Sequence, residues 1–446
     1  MDTQRPPTRD SDQFRCKEDG FLYCEELKVK AICEELAKTT DYSSPFYLYS
    51  KAQIEHNVRS YTDALRRHGI PYLLGFSMKA NNNLEILRLL KSHGCTAVLV
   101  SGNELKCALK VGFTADKLIY NGNGKDRWEI ELAVEHDVMI NADSLFDLNH
   151  INEVCEKLRK RARILLRINP DIDPDVHPYI STGLAETKFG IQMKDFDKAL
   201  DVVKLHATWL DLIGLHCHLG STISKIDVFQ SLVDIMLSLI NRVKEWGFDP
   251  KYLNIGGGLG INYEKYVQKE DKMPSTSDFI ESIAEKLKGC NLCTVLEPGR
   301  SIVGNAAILV TKVIGLKNNE KKSFIVVDAS MTEVLRPSIY GAYHHIQLIE
   351  PTQSGAAADQ VFDVVGPVCE SADFIGKERH LRPPHEGCGI AVRDVGAYCY
   401  SLSSNYNMRL RPAEIMVDGK RWRVIRRAET IDDVMRTCLE VPNDGE

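Results

Sequence analysis

A handful of short stretches in this 446-residue chain hold side chains able to do chemistry. Lys79 closes the apolar run Tyr72-Leu73-Leu74-Gly75-Phe76-Ser77-Met78. A lysine there either snorkels to water or lies partly desolvated, which lowers its ammonium pKa and makes it a Schiff-base former. His216-Cys217-His218-Leu219-Gly220-Ser221 places two imidazoles at i and i+2, on one strand face. Such a pair can hold a metal. Metal-dependent barrel hydrolases carry it on a first strand, however, whereas here the first strand offers only Lys79, and no metal is expected. The preferred reading lays His218 over a planar cofactor and leaves His216 packed in the core. Gly256-Gly257-Gly258 either lets backbone N–H groups converge on an anion or is a plain flexible turn. Glu297-Pro298-Gly299-Arg300 adds a carboxylate and a guanidinium, which can serve a ligand or simply pair with each other.

These stretches gain meaning from the elements that carry them. Eight β-type runs alternate with helical stretches: 72–76, 97–100, 118–120, 138–140, 163–168, 212–216, 252–255 and 293–296. Amphipathic segments near 83–93, 103–110, 127–135, 144–159, 194–205, 226–246 and 277–288 separate them, and one more, 51–68, precedes the first. Eight strands with helical crossovers predict an α/β fold, a (β/α)8 TIM-type barrel, with an open doubly wound sheet as competitor. In such a barrel the working residues follow the C-terminal ends of the strands, and the loops after strands seven and eight commonly hold phosphate. Lys79, the glycines, Glu297 and Arg300 all stand at such ends. A lysine, a phosphate cradle and a glutamate at one barrel mouth fit pyridoxal 5'-phosphate. Lys79 would form the imine, and Glu297 would keep the pyridine nitrogen protonated. Ser101-Gly102-Asn103-Glu104, after the second strand, reads as a helix cap.

Beyond about residue 310 the rhythm changes to strands with few helices, predicting a second, mostly antiparallel β domain. The expected division is an N-terminal segment, 1–44, packing with the β domain, a barrel over 45–311 and the β domain over 312–446. Residues 353–359 read as a mobile surface loop, and the stretch after His177-Pro178-Tyr179, rich in small residues up to Gly190, as a lid. In the β domain, Cys369 and Glu370 set a thiol beside a carboxylate, or else form an ordinary turn with a buried cysteine. Arg336 is suited to bidentate carboxylate binding, and Tyr398 could reach a phosphate oxygen. Cys290 and Cys293 form a lone pair of no evident role.

Composition excludes several classes. Hydrophobic residues make up 43% and charged residues 26%, with a formal charge of -6, as in a globular chain with no electrostatic reason to bind nucleic acid. No apolar run reaches the roughly 18 residues that would suggest a membrane span. The acidic N-terminus lacks the look of a signal or transit peptide, and thirteen scattered cysteines suit reduced thiols; a cytoplasmic location is expected.

Taken in order, Phe76-Ser77-Met78-Lys79-Ala80-Asn81, His218-Leu219-Gly220-Ser221, Gly256-Gly257-Gly258, Glu297-Pro298-Gly299-Arg300, Arg336-Pro337-Ser338-Ile339-Tyr340, Cys369-Glu370-Ser371-Ala372-Asp373 and Gly396-Ala397-Tyr398 are specific jointly. Across residues 45–440 the chain resembles the alanine racemase-like barrel family of pyridoxal phosphate enzymes, which includes eukaryotic ornithine decarboxylase. The resemblance implies a barrel plus β domain assembled as a head-to-tail homodimer, with active sites shared across the interface. It implies that Lys79 carries the cofactor, His218 stacks on its ring and Glu297 meets its nitrogen. Ser221, Gly256, Gly257, Gly258, Arg300 and Tyr398 would hold the phosphate. Arg300, Arg336, Tyr340, Glu370 and Tyr398 would bind an amino-acid substrate. Cys369, from the partner subunit, would donate a proton. Arg336 with Glu370 suits a substrate whose far end carries a carboxylate and an ammonium, so the expected reaction takes meso-2,6-diaminopimelate to L-lysine and CO2. The alternatives are a sister decarboxylase of carboxynorspermidine or ornithine type and a non-catalytic regulator. Intact Lys79 and Cys369 speak against the regulator.

Overall fold

The computed structural model describes residues 12–39, 44–177, 182–184, 186–267, 273–351 and 358–440. Parts of the expected lid (180, 181 and 185) and most of the expected loop (353–357) therefore lie outside the described residues. The chain divides into two compact units, one of residues 57–261 and 271–302, the other of 1–56, 262–270 and 303–446.

The first unit is a closed parallel barrel. Its strands are Tyr72–Ser77, Thr96–Leu99, Leu118–Tyr120, Met139–Ala142, Ala162–Asn169, Leu210–His216, Tyr252–Asn254 and Cys293–Leu296. Each pairs with its sequence neighbours, and the eighth pairs with the first through Val295 opposite Leu73. That closure rules out the open sheet. The strands are nearly continuous apolar runs because both faces are covered, inside by the barrel core and outside by helices. Leu73, Val98, Ile119, Met139, Leu165, Ile213, Tyr252 and Val295 pack together, one from each strand, filling the interior with a plug of side chains. The crossover helices start where local chemistry can satisfy their free N–H groups. Ser101 accepts from the Glu104 N–H, while Asp126 with Glu129 and Ser275 with Asp278 form reciprocal capping boxes.

The second unit is built on a mixed sheet in the order Phe374–Leu381, Gln360–Val365, Ser323–Val327, Ala307–Asn318, Phe46–Ser50, Ala413–Asp418 and Arg421–Arg426. Gly389–Val392 pairs with both Ala307–Asn318 and Ile346–Leu348. Most pairings are antiparallel. Two are parallel, Ser323–Val327 with Gln360–Val365 and Ala413–Asp418 with Phe46–Ser50. Phe46–Ser50, wholly buried, is a central strand of this sheet and not part of the barrel rhythm. Phe374–Leu381 is a strand that sequence patterning misses, because its Gly-Lys-Glu-Arg-His middle is mostly exposed and only pairing with Gln360–Val365 makes it extended. Phe14, Leu22, Val29, Ile32 and Leu36 pack on Leu48, Ile308 and Ile415, so residues 12–39 share this unit's core.

Candidate active site

The C-terminal ends of the barrel strands surround a cavity of about 360 Å³ lined by, among others, Lys79, Asn121, Arg167, His216, His218 and Glu297. Ser77, the last residue of strand one, donates its hydroxyl to the Glu297 carbonyl at 2.9 Å, while its N–H reaches the Pro298 carbonyl. The first and eighth strand ends are thereby tied together. Lys79 sits on the one-turn 3-10 helix that follows, between buried Met78 and Ala80. It stands exposed at the cavity, where partial desolvation was expected: the tight turn, unlike a continued strand, swings its side chain out of the packed interior.

Glu297 is buried, and its carboxylate is held by two asparagines that close other strands. Asn254 donates to Oε1 at 2.6 Å and Asn121 to Oε2 at 2.8 Å, while Asn141 in turn donates to Asn121. The His216 Nε2 lies 3.5 Å from Oε2. Burial pushes the Glu297 carboxyl up, but its contacts with His216 and the Asn254 amide outweigh it and hold the pKa below the ordinary carboxylate range. The site thus presents a fixed anion at neutral pH.

The three glycines are demanded by close packing. Gly256 and Gly258 have φ of +68° and +110°, in the region that favours glycine. A Cβ on Gly257 would stand 2.3 Å from the Glu297 carbonyl oxygen, and one on Gly258 would stand 2.4 Å from that of Gly220. The loops after strands six, seven and eight therefore meet backbone to backbone. Gly257→Ala is expected to destabilise the protein by about 1–3 kcal/mol, the usual cost of forcing an extra carbon into a packed site; thermal unfolding checks this, and an unchanged midpoint would show the loop free to shift.

The Gly257 N–H donates to His218 Nδ1 at 3.2 Å, so the neutral ring carries its proton on Nε2. Burial, then the charges of Lys79 and Arg167, hold the His218 pKa well below its ordinary 6.5. Beside the glycines, buried Arg300 donates from Nη2 to Ser221 Oγ at 2.9 Å. Arg167 pairs with Asp143 at 3.0 Å and lies against the Phe189 ring, while Asp143 also accepts from the Gly190 N–H.

The second unit carries the remaining expected residues. Arg336 is buried and donates to His344 Nε2 at 2.8 Å; His344 Nδ1 donates in turn to the Arg393 carbonyl. Its guanidinium lies 4.6 Å from the Tyr263 ring centre, and its Nε has no partner among the described residues. Tyr340 and Tyr398 are half-buried, Tyr398 with φ of +57°. Cys369 and Glu370 are exposed, which removes the buried-cysteine alternative. Their turn is pinned by Asp373, which accepts from the Val368 and Met331 N–H groups at 2.7 Å, and by Asn407, which accepts from the Cys369 N–H.

Sequence reasoning missed Asn121, Asn141, Tyr263 and His344. Asn121 had a signal available, a polar residue closing a buried strand, the same signal that singled out Lys79. Tyr263 had none, since Arg336 lies 73 residues away, and His344, eight residues from Arg336, reaches it only because the chain turns back after the short helix Arg336–Tyr340.

A lysine at the end of the first strand, a ring-sized cavity with a neutral imidazole, a buried anion, and a guanidinium and hydroxyl beside a glycine loop with no room for side chains make a site suited to a phosphorylated pyridine aldehyde. That defines the class as barrel enzymes that hold pyridoxal phosphate. Residues 51–304 match the family model described as pyridoxal-dependent decarboxylase, pyridoxal binding domain. The probable chloroplastic diaminopimelate decarboxylase of Oryza sativa subsp. japonica is 46% identical over 424 residues, 95% of this chain and 84% of that one. The diaminopimelate decarboxylase of Aquifex aeolicus is 39% identical over 95% of this chain and 97% of its own. The crystal structure of the Helicobacter pylori diaminopimelate decarboxylase complexed with L-lysine superposes with a TM-score of 0.84 at 36% identity, covering 91% of this chain and 99% of that one. The chain belongs to the pyridoxal-dependent decarboxylases, and within them to the diaminopimelate decarboxylases.

Proposed function

We propose that this protein removes CO2 from meso-2,6-diaminopimelate to give L-lysine, with pyridoxal phosphate bound at the barrel mouth. The observation that carries the reading is the 424-residue similarity to diaminopimelate decarboxylases, which spans both the barrel with Lys79 and the second unit with Arg336, Cys369 and Glu370. Bound pyridoxal phosphate supplies an electron-withdrawing ring that accepts the negative charge left as CO2 departs. Lys79 Nζ would hold the cofactor through its aldehyde carbon. His218 would present a neutral imidazole to the ring, and anionic Glu297 would hold a proton on the ring nitrogen. Ser221, Gly256, Gly257, Gly258, Arg300 and Tyr398 would hold the phosphate.

Arg336 pairs with the distal carboxylate and Glu370 with the distal ammonium, aided by Tyr340, Arg300 and Tyr398. A buried guanidinium oriented by His344 and Tyr263 favours a substrate with a distal acid, which ornithine lacks. Cys369, an exposed thiol, gives its proton to the carbon that lost CO2. We infer further that it does so in the site of a partner subunit within a homodimer. Thirteen free cysteines support a reducing compartment, the cytoplasm, and no helix among the described residues is long and apolar enough to cross a membrane.

The test is CO2 release by the pyridoxal phosphate-loaded protein offered meso-diaminopimelate, ornithine, arginine and lysine in parallel. Release from diaminopimelate alone, with lysine as product, is expected. Release from ornithine or arginine would keep the cofactor site and overturn the Arg336 and Glu370 argument.

A further inference from the structure

His216, the last residue of the sixth barrel strand, is 1% exposed, and neither ring nitrogen has a hydrogen-bond partner among the described residues. A histidine held only for packing satisfies both, because an orphaned buried polar atom costs about 1–3 kcal/mol. Core packing therefore leaves the residue unexplained. Its ring lines the same cavity as Glu297, with Nε2 facing the carboxylate Oε2 at 3.5 Å. The other charged or titratable groups around it are Arg167 on strand five, Asp143 after strand four and His218 on its own chain segment. Arg167 and Asp143 pair with each other, and Glu297 is held by the neutral amides of Asn121 and Asn254. Glu297 is thus the group at which an imidazole N–H is best aimed. Burial keeps the His216 ring neutral, against the pull of Glu297. An imidazolium there would cancel the carboxylate's charge, whereas a neutral N–H orients the carboxylate and leaves it anionic.

We propose that His216 is a positioning residue for Glu297: its neutral imidazole, with the proton on Nε2, holds the carboxylate ionised and aimed at the ring nitrogen of bound pyridoxal phosphate. This rests on the reading of the site as a pyridoxal phosphate site. The experiment compares wild type, His216→Leu and His216→Gln, each loaded with pyridoxal phosphate. It records the visible absorbance against pH, together with kcat and KM for meso-diaminopimelate. His216→Leu is expected to bind the cofactor, to shift the pH at which the band titrates by about one unit, and to lose about tenfold in kcat with KM nearly unchanged, the worth of one hydrogen bond to a charged group. His216→Gln, which keeps an N–H donor, is expected to recover most of both. A His216→Leu protein with the wild-type titration and kcat, or a His216→Gln protein equally impaired, would overturn the proposal. Should the leucine variant fail to fold, imidazole 15N NMR of the wild type decides: a neutral ring protonated at Nε2 supports the proposal, and an imidazolium or the Nδ1–H tautomer overturns it. A wild type that takes up no pyridoxal phosphate would sink the functional reading itself, and this inference with it.

Discussion

Lys79→Ala is expected to lower CO2 release from meso-diaminopimelate by about 10³-fold or more, the scale seen when the group that bonds covalently to a reactant is removed. Two further readouts locate the cause. The visible band of the bound cofactor should be lost, and pyridoxal phosphate should wash out on gel filtration, because the phosphate and ring contacts remain but the covalent tie does not. The thermal midpoint should hardly move, since Lys79 is exposed and its turn is anchored by buried Met78 and Ala80. Lys79→Arg should be as inactive, because a guanidinium keeps the charge but is not a free amine able to condense with an aldehyde. Substantial turnover by either variant would remove Lys79 from the chemistry and with it the whole reading of the barrel mouth.

Cys369→Ala is expected to lose about 10²–10⁴-fold in kcat, the usual share of a positioned proton donor. Here the cofactor band should persist, which separates this variant from Lys79→Ala. Cys369→Ser should fall between wild type and alanine in activity, as the hydroxyl is a weaker acid than the thiol. Neither change threatens the fold, because the side chain is exposed and its turn is pinned through backbone groups by Asp373 and Asn407. The pair of inactive variants also tests the shared site. Unfolded together and refolded, Lys79→Ala and Cys369→Ala subunits form mixed dimers in which one site has both residues intact, so about a quarter of wild-type activity should return. Recovery near zero would place Cys369 in the site of its own subunit, and full activity of Cys369→Ala alone would remove its role.

Much of this molecule is decided locally. The eight barrel strands are legible because each is a short apolar run set between amphipathic helices, and that alternation is a property of neighbouring residues. Lys79, the glycine loop, Glu297 and Arg300 are legible because a parallel barrel puts whatever follows each strand at one rim, so position along the chain implies position in space. Phe46–Ser50 and Phe374–Leu381 were not legible as members of the second sheet. Their partners lie as far as 367 residues away, Glu414 opposite Tyr47 being one such pair, and the exposed middle of Phe374–Leu381 carries no strand pattern of its own.

The state of each site residue also belongs to the tertiary structure. Local sequence placed Glu297 beside Arg300 and left open whether the two pair; the fold gives its carboxylate to Asn121 and Asn254 and sets His216 against it. Local sequence suggested a desolvated Lys79 and a core histidine at 216, while the fold exposes the lysine and turns the buried histidine toward the Glu297 carboxylate. The sequence by itself determined which residues reach the rim, through periodicity and strand order. Only the tertiary structure decided their protonation, exposure and partners, because those depend on desolvation and on contacts between loops of different strands, which no local pattern encodes.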